Sequence, residues 1–184
     1  PFGGMDDLHM KRLRCVGIAE QRFAEDALRM LRCLRFAAEY ELDIEDNTWS
    51  ALLQHADSIR SVAIERVRAE LERIVEGRHP ERGVRLLAES GLGARFSVPM
   101  PIHPNIAENK AKLAILEEIS TGTSDPILRW AAVLMVIHMA SNAASVWMRN
   151  MTFPNRKREE VGALLKLNEE LQSQLAVEAV IHER

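Results

Sequence analysis

The sequence predicts a mostly helical, almost all-α chain, and three features of its 184 residues support this fold class. Apolar side chains recur at close to the helical period of 3.6 through residues 19 to 40. Candidate caps and glycine or proline stops divide much of the remaining chain into further segments of helical length. Only residues 9 to 17 alternate, moderately, in the manner of a strand.

The first half of the chain is predicted to form one helical module that ends near residue 80. Gly3 and Gly4 permit a tight turn, and residues 9 to 17 predict a short strand or hairpin arm from a preceding sheet. A single helix follows over residues 19 to 40. Two further helices are predicted from the residues at their ends. The first has Asp46 or Asn47 as its N-cap and continues through Asp57. The second has Ser61 as its N-cap and Gly77 as its C-terminal stop.

The second half is predicted to form another helical module. A short helix from Pro80 to Ser90 has Gly91 as its C-cap. Three prolines in six residues (99, 101 and 104) then predict a linker or an extended segment. Three more helices are expected at about 105 to 120, 125 to 140 and 155 to 172.

Composition narrows the classes of function. A net charge of -3 and a pI near 6.1 argue against a strongly basic nucleic-acid binder but allow local basic patches. Apolar runs fall short of the roughly 20 residues of a membrane span, so no membrane partner is expected. Cys15 and Cys33 lack metal-ligand spacing and predict reduced thiols in a cytoplasmic protein, and the scattered histidines predict no metal site.

Residues 20 to 36 hold the candidate site. Glu25 and Asp26 precede Arg29, Arg32 and Arg35 at helical spacing. A carboxylate that accepts hydrogen bonds beside a guanidinium that donates them could contact the edge of a nucleobase, with further arginines on its phosphates. Spacing alone favours an ordinary i,i+3 ion pair on a solvated helix, worth about 0.2 to 0.5 kcal/mol.

Four motifs in order carry a resemblance to a known family. PFGGMDDL, LRCVG, RFAEDALRMLRCLRFAAEYELDIEDNTW and SVAIERVRAEL resemble class II tRNA nucleotidyltransferases, the CCA-adding enzymes, whose superfamily includes bacterial poly(A) polymerase. The resemblance covers residues 1 to about 75 and is weak beyond residue 80. It implies residues 1–18 as the end of a head domain and hinge, 19–80 as a base-selecting neck, and 81–184 as a body that contacts the tRNA acceptor end.

The resemblance also implies roles for the site residues. Asp26 and Arg29 would pair with the Watson–Crick edge of CTP or ATP, Arg32 and Arg35 would contact the nucleotide further along, and Glu25 would orient Arg29. Ala27 stands where the family often has proline, which a first helical turn tolerates equally. The complete enzyme is expected to add the 3′-terminal CCA to tRNA.

The catalytic aspartates that bind Mg²⁺ are expected upstream of Pro1, in a longer protein. We therefore predict no catalytic or metal-binding residue in this chain, and no activity for the chain alone. Asp6 and Asp7 are predicted to serve in a turn at the hinge, because neighbouring side chains on an extended strand point to opposite faces.

Several other residues have two interpretations. Arg156, Lys157 and Arg158 either meet tRNA phosphates or form a solvated helix start. Glu65, Arg66 and Glu70 are expected to form salt bridges to the arginine-bearing helix. His138 is predicted to be a core residue. A set of large apolar side chains is expected in the core or in packing between helices, rather than as a stacking platform for tRNA bases: Trp130, Trp147, Met135, Met139, Met148 and Met151.

Three other functions remain open at this point. A poly(A) polymerase and a split CC-adding or A-adding enzyme belong to the same superfamily, and their distinguishing residues are expected in the head. A non-catalytic helical RNA-binding module would have no nucleotide site.

Overall fold

The predicted fold class is confirmed by the computed structural model, which describes residue 7 and residues 9–182. Within these residues the chain forms nine α-helices and two short strands. Gly3, Gly4 and Asp6, to which a turn was assigned, lie outside the described residues.

The predicted N-terminal strand is present as β1, Arg12–Leu13. Within the described residues its partner is β2, Asp43–Ile44, which pairs with it in parallel. Backbone hydrogen bonds from Asp43 N to Lys11 O (2.8 Å) and from Glu45 N to Leu13 O (2.9 Å) complete the pairing. The pairing joins the segment before residue 19 to the segment that follows residue 40.

The helix predicted over residues 19 to 40 is two helices, α1 (Ala19–Glu25) and α2 (Leu28–Glu39). Asp26 interrupts it with an extended backbone, φ −150° and ψ 102°. Its Oδ1 accepts a hydrogen bond from Leu28 N at 3.1 Å, so this side chain satisfies a free amide at the start of α2. The prediction of one continuous helix was therefore wrong at the candidate site.

The next helices follow the predicted order with different caps. In α3, Asp46–His55, the cap is Glu45, whose carboxylate accepts from Thr48 N at 2.9 Å. Ser61 does not cap α4, Ile64–Val75, because it lies in the 3₁₀ turn Ala56–Ser61. The helix α5, Pro80–Ser90, ends as predicted at Gly91, whose φ of 64° suits glycine.

The second half contains one helix more than predicted. The helices are α6 (Lys110–Gly122), α7 (Pro126–Val136), α8 (Ser141–Asn150) and α9 (Asn155–His182). The helix predicted over 125 to 140 stops at Val136, and α8 was not predicted.

His138 lies in the turn between α7 and α8. It is exposed, with a φ of 58°, and its Nε2 contacts Lys112 Nζ. Its prediction as a core residue was therefore wrong, because the turn carries the side chain out of the apolar face of α7.

One core runs through both halves of the described chain. Helix α2 packs on α4 and α5, α4 also contacts α7, and α7 lies against α6 and α9. Trp130, Trp147 and Phe153 meet in this core, with 4.9 Å between the ring centroids of Trp130 and Phe153. The predicted core position of the two tryptophans is confirmed. The division into residues 19–80 and 81–184 stays a prediction.

In the described residues, no single helix has the length and apolar composition of a membrane span. Helices α7 and α8 together have that length and composition, but the pair is bent by 116°.

Candidate nucleotide-binding site

Asp26 stands at the break between α1 and α2, where two groups hold its carboxylate. Oδ1 accepts from Leu28 N, and Oδ2 lies 3.0 Å from Arg66 Nη2 on α4. The side chain is 26% exposed, so part of it still faces solvent. The ion pair of Asp26 is thus with Arg66 across the helix interface, and not the local i,i+3 pair with Arg29 that spacing alone favoured.

Arg29 lies in the first turn of α2 and is held by Glu25. Glu25 Oε2 is 3.5 Å from Arg29 Nη1 and 3.1 Å from Arg22 Nη1. Arg22 Nε also donates to Val16 O at 3.2 Å, which fastens the preceding loop to α1. Because Arg29 N donates to Asp26 O at 3.0 Å, the backbone sets the spacing of the two predicted base-contacting residues.

Glu70 is a buried carboxylate that receives three arginines. It is 2% exposed. Its Oε1 lies 3.1 Å from Arg32 Nε and 3.2 Å from Arg73 Nη1, and its Oε2 lies 2.8 Å from Arg35 Nε. The predicted salt bridges between α4 and the arginine-bearing helix are confirmed for Glu70 and for Arg66. Three guanidinium groups thus share one carboxylate.

A hollow of about 200 Å³ opens beside Arg29 and Arg32. Apolar and thiol groups make up most of its wall, together with a few polar ones: Leu13, Arg14, Cys15, Phe23, Cys33, Phe36 and Thr48. Burial raises the pKa of the Cys33 thiol to about 12 and also raises the pKa of Cys15. Both thiols therefore stay protonated near neutral pH and are poor nucleophiles.

The basic cluster at the start of α9 does not form a single patch. Lys157 is only 15% exposed, and its Nζ contacts Glu72 Oε1 at 2.8 Å and Glu76 Oε1 at 2.5 Å. Arg156 Nε pairs with Glu160 Oε1 at 2.6 Å on the exposed side, and Arg158 Nη2 contacts Asn155 Oδ1. Lys157 faces α4 and pairs with two of its carboxylates, and the RNA contact of residues 156 to 158 stays a prediction.

A metal site is not formed by the described residues, which contain no group of three or more His, Cys, Asp or Glu able to hold an ion. Asp7 instead accepts from Arg14 Nε at 3.1 Å and Arg14 Nη2 at 2.9 Å. Asp6 lies outside the described residues.

Arg129 is a buried residue that sequence reasoning missed. Its guanidinium donates to Glu76 O and Gly77 O after α4, and to Ser120 O and Thr123 O at the end of α6, at 2.6 to 2.8 Å. It thereby joins two helix ends from different halves of the chain. The sequence signal was an arginine within the apolar run PILRWAAVLMV. An arginine in such a run is expected to be buried, and a buried arginine needs hydrogen-bond partners.

Comparisons of the sequence and of the fold with known proteins point to the same class of protein. A family model described as "Probable RNA and SrmB- binding site of polymerase A" matches residues 41–99. A CCA-adding enzyme of Geobacillus stearothermophilus is 32% identical over 170 residues, or 90% of this chain and 39% of the relative. One of Lactiplantibacillus plantarum is 43% identical over 83 residues, or 45% of this chain and 20% of the relative.

A solved structure extends the likeness to three dimensions. The crystal structure of Bacillus stearothermophilus CCA-adding enzyme in complex with CTP has a TM-score of 0.72 and 30% identity, and the match covers 92% of this chain and 41% of that one. Fold and sequence thus define the chain as similar to part of the tRNA nucleotidyltransferases. Among these, its resemblance to the CCA-adding enzymes is confirmed. The chain spans about two fifths of the length of the curated relatives it matches.

Proposed function

We propose that this chain is the base-selecting and tRNA-contacting part of a CCA-adding tRNA nucleotidyltransferase that uses CTP and ATP. The observation that carries the proposal is the pair Asp26 and Arg29, held at the helix break by Arg66 and Glu25. The complex of the Bacillus relative with CTP supports a nucleotide as the ligand. The acceptor end of tRNA is the proposed partner.

Base selection follows from the hydrogen-bonding groups of the pair. Asp26 only accepts hydrogen bonds and Arg29 only donates them. Cytosine and adenine carry an exocyclic amine beside a ring nitrogen acceptor, which matches both groups. Guanine and uracil place a carbonyl where the amine would be, and an unpaired group in a closed site costs about 1 to 3 kcal/mol.

The arginines around Glu70 supply the charge for the phosphates. Arg32 and Arg35 are fixed at one nitrogen by Glu70, and the positive excess of the cluster attracts an anion. Mg²⁺ is proposed for the complete enzyme from the resemblance, but the described residues offer no cluster to hold it. The transfer step is therefore not assigned to this chain.

The test is base choice in the complete enzyme that carries this chain. Asp26→Asn keeps a side-chain oxygen for Leu28 N, so the cap of α2 survives, but it replaces the acceptor-only carboxylate. We expect the ratio of CMP and AMP incorporation to GMP and UMP incorporation into tRNA to fall roughly tenfold. Arg29→Gln should have the same effect.

Asp57→Asn is the matched control, because Asp57 is an 89% exposed carboxylate paired with Arg95 away from the site. It should leave base choice unchanged. An Asp26→Asn enzyme that folds normally and still prefers CTP and ATP to the same degree would contradict the template assignment.

A poly(A) polymerase is the second candidate, because the model that matches residues 41–99 is described as a binding site of polymerase A. The two activities differ in product. Addition of CCA to tRNA that lacks it, with no extension beyond the last A, supports the first proposal, and long A-tails on varied RNA support the second.

A further inference from the structure

Two aromatic rings lie exposed at the end of α2. Phe36 and Tyr40 stack with 6.2 Å between ring centroids and 19° between planes. Tyr40 is 60% exposed and Phe36 is 37% exposed, and the Arg35 guanidinium lies 4.3 Å from the centre of the Phe36 ring. Most of the Tyr40 ring is therefore available to another flat group.

Tyr40 borders an open groove of about 540 Å³ between α2 and α4. Arg35 and Arg73 also line it, and Arg73 is 60% exposed although one of its nitrogens contacts Glu70. Phe36, on the other side, lines the hollow that contains Arg29 and Arg32. The groove is thus the immediate neighbour of the candidate nucleotide site.

The carboxylates of the groove are engaged by other cations. Glu39 Oε1 lies 3.6 Å from Arg78 Nε, and its Oε2 accepts from Arg78 N at 3.1 Å. Glu72 and Glu76 both contact Lys157 Nζ. The most exposed charged side chain of the groove is that of Arg73, at 60%, whereas its three carboxylates are 25% to 34% exposed. This exposed cation suits an anionic ligand.

We propose that Tyr40, with Arg73, forms a subsite for one unpaired nucleotide of an RNA strand. The base stacks on Tyr40, and Arg73 contacts a flanking phosphate. Stacking on an aromatic ring tolerates any base and requires that the base be unpaired. The inference rests on the proposed function only in that it takes the strand entering the nucleotide site as the ligand.

The only tyrosine of the chain makes the test direct. Incorporation of 3-fluorotyrosine gives one ¹⁹F resonance, that of Tyr40. An RNA hairpin with a short single-stranded 3′ overhang should shift this resonance upfield through the ring current of the stacked base. The same hairpin with a blunt end should not shift it.

Substitutions separate stacking from charge. Tyr40→Leu keeps an apolar side chain but should weaken binding of the overhang hairpin roughly tenfold, while Tyr40→Trp should preserve it. Arg73→Gln should lower the slope of log K against log salt concentration by about 0.7, the value for one phosphate contact on a single strand. Arg85→Gln is the matched control, since Arg85 pairs with Glu89 on α5.

Two outcomes would overturn the inference: an unchanged ¹⁹F resonance under saturating overhang RNA, or equal affinity of Tyr40→Leu and wild type for that RNA. Its failure is distinguishable from failure of the proposed function. Tyr40 variants should leave base choice unchanged in the complete enzyme, and Asp26→Asn should leave the ¹⁹F shift unchanged.

Discussion

A single buried carboxylate, Glu70, organises the arginines of the candidate site. Arg32, Arg35 and Arg73 approach it from two helices, and it is itself nearly inaccessible to water. Guanidinium side chains have several rotatable bonds, and fixing one nitrogen of each limits where the others can point. Glu70 therefore acts as a positioning residue for the arginines that we propose as ligand contacts.

Glu70→Gln tests this role. The amide keeps the shape but removes the charge that three guanidinium groups share, and we expect the free energy of unfolding to fall by about 2 to 3 kcal/mol. Urea unfolding followed by circular dichroism measures the change. Glu89→Gln, at an exposed i,i+4 pair with Arg85, should change it by less than about 0.5 kcal/mol. Equal effects of the two substitutions would remove Glu70 from this role.

At the scale of elements, α4 connects the candidate site with the second half of the chain. Arg66 and Glu70 face α1 and α2, whereas Glu72 and Glu76 receive Lys157 from α9. Arg68 Nη1 also donates to Thr152 O, before α9. One helix thus contacts the proposed nucleotide-binding residues on one side and the proposed tRNA-facing part on the other.

Gly83 allows α5 to approach α4. A Cβ at this position would lie 2.3 Å from Ile74 Cγ2 and 3.7 Å from Ala38 Cβ. Gly83→Ala should therefore destabilise the fold by about 1 to 3 kcal/mol through overpacking, measured by thermal or urea unfolding. Gly162→Ala is its matched control in α9.

A Cβ on residue 162 has open space around it, and alanine has the higher helix propensity, so this control should stabilise the chain by about 0.5 to 1 kcal/mol. A Gly83→Ala protein as stable as wild type would show that the helices separate without cost.

At the scale of the whole molecule, Arg129 connects the two halves. It lies 8% exposed and donates to backbone carbonyls that follow α4 and end α6. Trp130 Nε1 adds a hydrogen bond to Glu76 Oε1 at 3.2 Å. With the continuous core, these contacts predict that the chain unfolds in one transition.

Arg129→Met should lower the free energy of unfolding by more than about 3 kcal/mol, because several buried carbonyls lose their donor at once. Parallel urea titrations read by tryptophan fluorescence and circular dichroism measure the loss. Arg149→Met, at an exposed position of α8, should change stability by less than about 0.5 kcal/mol. A mild effect at Arg129, equal to that at Arg149, would contradict its role as the connection.

Sequence reasoning succeeded where the signal was local and failed where partners are distant in the chain. The helical period of residues 19 to 40 predicted α2 as part of a longer helix, and the stops at Gly77 and Gly91 predicted α4 and α5. The break at Asp26 was missed because the apolar period continues through it and the ion-pair partner of the carboxylate, Arg66, lies forty residues away. The start of α8 was missed because His138 turns the chain without glycine.

The contacts of Arg129 and Lys157 have different consequences for chimeric proteins. Arg129 binds carbonyl oxygens, which every residue supplies, so the second half of the chain joined to a foreign first half keeps this connection wherever the helix equivalent to α4 ends at the same place. Lys157 needs two particular carboxylates, Glu72 and Glu76. A successful exchange near residue 80 must therefore transfer or recreate those two glutamates, and can otherwise leave the sequence of the first half free at this junction.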